Sequence, residues 1–503
     1  MKYIGLDLGT SGSKAVIFDE TGRIIEKSFK GYNLITEESG VVELDPNDVW
    51  NAVVHVLREV SSKCKDKSEI KALSVSSFGE ACIPIDYKGS ILSNSIIATD
   101  SRGKEELKSI TEKIEESKLI EITGLPLNST YTINKILWIK NNKYEVFKKA
   151  WKFLLYQDFI YYKLCDEAVT DYSLASRTMA YDIRKNEWSK EILGIVDIDE
   201  KLFSKTISSG CIISDSISKV VAEELNLPKS IIVVLGGHDQ PCSALGAGMI
   251  NEGCAVDSIG TTECVTTVLR NKMVYSTIKT FNFPCEPFLE AGKYNTMAYL
   301  HTAGALLKWY LRVFDADRKS ANEKGHINLY KYFDEMCPEK PTDLYILPHF
   351  SGTGTPHMNP FSEGAIYGLQ LGTTREMIYK AIMEGINYEM KINLECLKDA
   401  GIHIDKLVAV GGGSTSKTLL QIKADILGIE ISTLECNEAA ALGCAILAAK
   451  AVGEYNSIGE AVKAMVRIKD TIYPNYRNLQ TYQYKFNKYK TILERLKDIN
   501  NPT

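Results

Sequence analysis

Tyr3-Ile4-Gly5-Leu6-Asp7-Leu8-Gly9-Thr10-Ser11-Gly12-Ser13-Lys14 opens the chain, and Ala255-Val256-Asp257-Ser258-Ile259-Gly260-Thr261-Thr262-Glu263 opens its second half. Each reads as a strand running into a small turn, and Lys14 to Asp19 or Cys264 to Leu269 then reads as the returning strand. Strand, glycine-containing turn, strand is a hairpin signal. A pattern that restarts near the midpoint predicts two lobes, each beginning with a hairpin whose turn faces the other. Between the two starts, Val49 to Val60 has helical apolar spacing, Ile70 to Ser76 reads as a strand and Lys104 to Leu119 as one charged amphipathic helix. Ile231 to Leu235 reads as a buried strand and Asp239 to Gly248 as a helix of small residues. In the second half Thr374 to Leu397, Leu419 to Leu427 and Ala439 to Val452 read as helices, Leu407 to Val410 as a strand, and Tyr473 to Leu496 as an amphipathic tail. Such alternation predicts α/β lobes with helices packed over sheets. No low-complexity linker separates them, so a shared cleft is expected.

Composition sets the outer bounds. The chain has 503 residues, 45% hydrophobic and 24% charged, which excludes disorder and collagen-like structure and suits two to four domains. Lys plus Arg number 59 and Asp plus Glu 64, a net charge of −5, and no basic run marks a surface for nucleic acid or anionic membrane. The longest apolar run, Ala439 to Ala449, lies between Glu438 and Lys450 and falls short of the ~20 residues a membrane helix needs. No apolar signal region opens the chain. The 12 cysteines are scattered without a C-x-x-C pair, which argues for reduced thiols rather than a disulfide framework or a structural zinc site. The expectation is a soluble cytoplasmic protein with neither nucleic acid nor membrane as partner.

Several segments carry chemistry. In the first turn, glycines let backbone N–H groups approach phosphate oxygens, Asp7 has the position to hold Mg²⁺ directly or through water, and Lys14 adds positive charge. Gly260-Thr261-Thr262 offers a second set of amides and hydroxyls. Val410-Gly411-Gly412-Gly413-Ser414-Thr415-Ser416-Lys417-Thr418 nearly matches a P-loop, but Ser416 stands where the last glycine is required. It reads either as a glycine bed for a flat adenine or ribose, or as tight packing alone. Gly236-Gly237-His238-Asp239-Gln240 ends a strand, turns the chain on two glycines and starts a helix. There the helix N-terminus would keep Asp239 ionised, as a base that takes a proton from a hydroxyl attacking a phosphoryl group. Asp239 reads equally as a simple N-cap. Glu80, Asp100 and Arg102 read as cleft residues contacting hydroxyls or as solvated loop charges. No H-E-x-x-H or G-x-S-x-G occurs, so zinc-hydrolase and α/β-hydrolase chemistries are excluded.

Taken together the chain resembles the FGGY carbohydrate kinases. The resemblance rests on Asp7-Leu8-Gly9-Thr10-Ser11, Val42-Glu43-Leu44-Asp45-Pro46 with Trp50, and Asp158 to Leu164. It continues through Thr170-Asp171-Tyr172-Ser173-Leu174-Ala175-Ser176, Gly236 to Ala247, Gly260-Thr261-Thr262 and Gly304 with Trp309. Leu347 to Gly352, Glu384-Gly385, Gly411-Gly412-Gly413 and Gln421 to Asp425 complete it. It implies the two-lobed, actin-like (ribonuclease-H-like) α/β fold with an interdomain cleft, residues 1–247 forming the sugar-binding lobe and 248–503 the nucleotide-binding lobe. It further implies transfer of the γ-phosphate of ATP, with Mg²⁺, to a hydroxyl of a sugar or polyol, and admits a homodimer.

By the same resemblance Asp239 would be the general base and Asp7 would position Mg²⁺. Thr10, Ser11, Lys14 and Thr261 would face the phosphates, while Gly304, Lys308, Gly412 and Ser416 would lie along the nucleotide. Glu80, Asp100, Arg102, His238, Asp239 and Gln240 would line the acceptor site. Xylulokinase-like members carry Met-His-Gly where this chain has Gly79-Glu80-Ala81. Glycerol kinases place Arg-Glu there, and this chain keeps the glutamate but lacks the arginine. An acyclic polyol or open-chain ketose is therefore expected. The competing readings are an actin- or chaperone-like ATPase, which lacks the Gly-Gly-His-Asp-Gln step, and a catalytically inactive regulatory relative.

Overall fold

The structure is a computed structural model and describes residues 1–36, 40–314 and 328–500. Its first sheet contains β1 (Lys2–Gly9), β2 (Gly12–Asp19), β3 (Ile24–Gly31), β4 (Ile70–Ser77), β5 (Ile212–Ser214) and β6 (Ile232–His238) in the order β5-β6-β4-β1-β2-β3. The second contains β7 (Gly253–Ile259), β8 (Glu263–Leu269), β9 (Glu286–Pro287), β10 (Tyr294–Leu300), β11 (Ile404–Val410), β12 (Glu430–Leu434) and β13 (Ile468–Ile472) in the order β9-β10-β8-β7-β11-β12-β13. In both, a hairpin runs antiparallel to a third strand and parallel to two more: β3-β2-β1-β4-β6 in one, β10-β8-β7-β11-β12 in the other. The restart read from the two Gly-Thr turns is thus a duplicated topology.

Helices fill both faces of each sheet. On the outer face of the first, α1 (Pro46–Lys63) buries Val49, Val53, Val56, Leu57 and Val60, spaced three and four apart on one stripe. Asp45 caps it by accepting from Asn47 N, and Pro46 takes the first turn, where a missing N–H costs nothing. α2 (Tyr156–Cys165) shares that layer. Between the sheets lie α3 (Asp239–Gly246) and α7 (Ala439–Ala451), with α4 (Gly304–Phe314), α5 (Arg375–Asp399), α6 (Lys417–Leu427) and α8 (Tyr476–Asn500) completing the second lobe.

The position of α7 explains its composition. Packed against the strands of the first sheet and against α3, the helix leaves residues 441–449 no solvent face, and all are buried and apolar or small. α3 and α7 cross closely enough that a Cβ at Gly443 would lie 2.0 Å from the Cys242 carbonyl, and one at Gly246 1.9 Å from that of Ala439. Any side chain there would force the helices, and with them the lobes, apart. No helix among the described residues is long and apolar enough to cross a membrane.

One expected element divides. Residues 104–119 form not one helix but two, Lys104–Thr111 and Glu116–Thr123. The break lets Ile110 and Ile114 bury in the same cluster as Leu119 and Ile122, which a straight helix of that length would not bring together.

Candidate active site

β6 does not end at its glycines. Gly236 and Gly237 lie within the strand, which runs on to His238, and the expected glycine turn is a bulged strand instead. The glycines are required by close approach: a Cβ at Gly236 would stand 2.0 Å from the Val75 carbonyl, and one at Gly237 2.4 Å from Leu289. Register slips between Val234 and Gly237, and the backbone groups this frees are satisfied by side chains. Tyr161 Oη donates to Val234 O (2.9 Å) and accepts from Val75 N (3.2 Å) and Gly236 N (2.9 Å). Ser173 Oγ accepts from His238 N (2.9 Å) while donating to Asp171 Oδ2 (2.6 Å). The strand end that delivers Asp239 is therefore braced from two sides.

His238, not Asp239, occupies the capping position of α3, so the simple N-cap reading of Asp239 fails. Asp239 Oδ1 lies 3.2 Å from His238 Nε2, and its side chain stays 28% exposed to the cleft. Burial, then the charges of Asp7 and Glu80, push its carboxyl up to about 8, against the expectation that the helix terminus would hold it ionised. Burial and the Arg177 charge push His238 down to about 3, so it stands neutral. Gln240 follows on the first turn, its Oε1 buried and without a hydrogen-bond partner among the described residues.

Glu80 adopts φ 62°, the left-handed region that a residue with a side chain rarely enters. Such strain persists only where the surroundings impose it. Here the fully buried Lys135 ammonium donates to Glu80 O at 2.8 Å, and Gly79 alongside leaves room for Arg177. The Arg177 guanidinium donates from Nε to Glu80 Oε1 at 2.5 Å, pairs with the same carboxylate through Nη2, and reaches Glu286 through Nη1. Arg177 thus reaches Glu80 from a segment 97 residues away. Arg177, Glu286 and Lys135 escaped sequence reasoning. The quoted motif ends at Ser176, one position short of Arg177.

On the phosphate side, Asp7 faces Lys14 across the β1–β2 ladder and accepts from Ser76 Oγ at 2.7 Å. Lys14 Nζ is 2.5 Å from Glu438 Oε2, and Lys27 Nζ 3.2 Å from Oε1 of the same residue. Glu438 immediately precedes α7, so this pair ties the first hairpin to the helix between the lobes. Its carboxyl is held below the usual range, against the cost of burial, by those two lysines. Glu438 carried no local signal. Thr10 and Ser11 form the exposed tip of the first hairpin.

The second lobe opens into a cavity of about 960 Å³ lined by Thr261, Gly304, Lys308, Gly412 and Ser416 among others, so the five nucleotide-side candidates of this lobe converge on one space. A Cβ at Gly304 would lie 2.5 Å from Gly260 O, and Thr261 O accepts from Ala303 N and Ala305 N; α4 starts hard against the second turn. Gly412 by contrast has open space where a Cβ would point. Ser416 Oγ accepts from Leu419 N and caps α6, whose exposed Lys417 is not among the lining residues; the near-match to a P-loop is not one. Behind the second turn, Lys423 Nζ lies 2.7 Å from Asp257 Oδ2 and 2.6 Å from Glu263 Oε1, all three fully buried.

Asp100 corrects an expectation. The Asp100 carboxylate accepts from Val42 N (2.6 Å) and from Arg102 N, Nε and Nη2 (2.8, 2.8 and 2.7 Å), which fills its acceptor capacity. Arg102 Nη1 is spent on Glu43 Oε1 at 2.8 Å, with the guanidinium 4.7 Å from the Trp138 ring centre. The pair staples the residue 42–43 segment to its loop, and the Asp100 carboxylate has no acceptor site left for a substrate hydroxyl.

Residues 2–246 match the N-terminal domain of the FGGY family of carbohydrate kinases, and residues 255–452 its C-terminal domain. The chain belongs to this family. It is 31% identical to the xylulose kinase of Bacillus subtilis, over 99% of this chain and 98% of that one. It is 29% identical to the glycerol kinase of Thermoanaerobacter pseudethanolicus, over 92% of each. The crystal structure of gluconate kinase from Lactobacillus acidophilus superposes with a TM-score of 0.87 at 25% identity, covering 98% of both chains. The fold is that of the two-lobed sugar kinases, and the protein is a phosphotransferase acting on the alcohol group of a sugar or polyol. A ketose, a triol and an aldonate are all represented among these relatives, so overall likeness does not select the acceptor.

Proposed function

We propose that the protein is an ATP-dependent kinase of an acyclic sugar or polyol with Asp239 as its general base. The observation that carries this reading is the setting of Asp239: not the helix cap, open to the cleft, and sharing its electrostatic surroundings with Asp7 on one side and Glu80 on the other. A carboxylate titrating near neutrality matches the Brønsted optimum for taking a proton from an alcohol. In the step, the acceptor O–H bond breaks with its proton passing to Asp239. The oxygen then bonds to the γ-phosphorus, and the bond from that phosphorus to the ADP oxygen breaks. Glu80, His238 and Gln240 would orient the acceptor.

ATP and Mg²⁺ follow from the family, and the residues present suit both. The cavity beside Thr261, Gly304, Lys308, Gly412 and Ser416 has the volume for a nucleotide, and its open Gly412 lets a flat group lie on backbone. The Asp7 carboxylate, partly open and fixed by the Ser76 hydroxyl, suits Mg²⁺ shared between one carboxylate and phosphate oxygens. Asp7 would hold it, with Thr10, Ser11, Lys14 and Thr261 on the phosphates; bound there, the ion supplies neutralisation of the charge developing on the transferred group. The division of labour between residues 1–247 and 248–503, a cytoplasmic location and a homodimer belong to the same reading, the last open to sedimentation analysis.

Asp239→Asn is expected to lower turnover by ~10²–10⁴ while nucleotide affinity, measured by titration calorimetry, stays near that of the parent. A variant that kept most of its activity would remove Asp239 from the role.

A further inference from the structure

The acceptor end of the cleft has an unusual charge arrangement. All three nitrogens of the Arg177 guanidinium are engaged by carboxylates: Nε and Nη2 by Glu80 of the first lobe, Nη1 by Glu286 of the second. Glu286, at the start of β9, is fully buried, and its Oε2 lies 3.8 Å from His238 Nδ1, so the residue reaches from the second lobe to the strand end that carries Asp239. The Tyr131 ring, its centre 5.3 Å from Arg177 Cζ, closes another side of the guanidinium. Both bonds to Glu80 end on Oε1, which leaves Oε2 to accept from a donor. The remaining cation nearby, Lys135, is fully buried and donates to the Glu80 carbonyl. His238 is neutral. Asp239 and Asp7 complete the carboxylates and Lys14, facing Asp7, the cations, so four carboxylates face three cations: one bracketed by carboxylates, one buried and one on the phosphate side.

We infer that Glu80, Arg177 and Glu286 act as a selector for an uncharged acceptor, reading hydroxyl groups as donors and rejecting a substrate that carries a carboxylate. The inference rests on the kinase reading above and narrows it to neutral polyols and ketoses. A hydroxyl satisfies Glu80 Oε2 at little cost. An aldonate carboxylate would meet Glu80, with the guanidinium already shared between Glu80 and the buried Glu286, and like charges brought together out of water repel. Glu286 matters as much as Arg177: with that carboxylate removed, one arm of the guanidinium becomes available to an anion.

The test uses the full-length protein, Mg²⁺-ATP, a panel of neutral acceptors from glycerol to pentuloses, and gluconate as the charged probe. For the wild type, kcat/KM for the best neutral acceptor should exceed that for gluconate by roughly 100-fold or more, and gluconate should not compete with that acceptor. Glu286→Gln should narrow this ratio by about 10-fold through a lower KM for gluconate, a change that a merely loosened structure would not produce. Gluconate used within about 10-fold of the best neutral acceptor, or a Glu286→Gln variant that weakens both acceptors in proportion, overturns the selector. Should Glu286→Gln not fold, the wild-type ratio decides by itself. Failure to phosphorylate any acceptor would strike the kinase reading instead; calorimetry with the same ligands would then judge the selector, gluconate binding as tightly as the neutral ligands counting against it.

Discussion

At the tip of the first hairpin, Asp7 stands two residues before Gly9, pairs in register with Lys14 and is partly open to the cleft. At the tip of the second, the residue two before Gly260 is Ser258, and the acidic residue, Asp257, is one position further back. On a strand that single step turns a side chain to the opposite face. Asp257 is accordingly fully buried and held with Glu263 by Lys423, while Asp7 shares the surroundings of Asp239. One topology, used twice, thus has two outcomes. The first lobe brings its hairpin aspartate to the cleft; the second hides its own behind the turn, beside a 960 Å³ cavity lined by backbone, hydroxyls and basic side chains such as Lys308.

The comparison breaks most visibly at the aspartates. Asp7→Asn is expected to lower turnover by ~10²–10³, the loss typical of one electrostatic group at developing charge, whereas Asp257→Asn should leave turnover of the folded protein within a few-fold. Steady-state rates normalised to folded protein by circular dichroism check this; equal losses would erase the distinction between the turns. A smaller effect is expected at Lys14→Ala, where KM for ATP should rise by ~10-fold, as for one lost charge-assisted hydrogen bond, with KM for the sugar little changed. A rise confined to the sugar would take Lys14 away from the phosphates. The smallest separates two glycines of the second lobe. Gly304→Ala, whose Cβ would meet Gly260 O at 2.5 Å, should lower stability to urea by ~1–3 kcal/mol, while Gly412→Ala, with open space, should leave it within ~0.5 kcal/mol.

Much of the architecture was legible because it is local. Hairpins, the α1 stripe and the all-apolar α7 each announce themselves within about twenty residues through turn chemistry and periodicity. Lys104 to Leu119 misled because its charged positions read as one continuous helix, while the need to bury Ile114 with Leu119 breaks it. Gly236-Gly237 misled differently: two glycines suggest a turn, and only the neighbouring strand shows that they clear Val75 and Leu289. Asp7, Glu80, His238 and Asp239 stood out as polar residues at strand ends. Their partners did not. Arg177 reaches Glu80 and Glu286 across 97 and 109 residues of chain, and Lys14 reaches Glu438 across 424, separations that no motif spans. Asp100 failed for the converse reason, since a short charged motif is as able to satisfy itself as to meet a ligand.

The central claim is acceptor-dependent phosphoryl transfer through Asp239. Its most direct measurement is ADP release with Mg²⁺-ATP across glycerol, erythritol, xylitol, xylulose, ribulose, fuculose and gluconate, for the parent and Asp239→Asn, beside a control without acceptor. Strong stimulation by one neutral acceptor, lost in the variant, is the predicted result. Hydrolysis that proceeds equally without acceptor, or stimulation that survives in Asp239→Asn, would contradict the account.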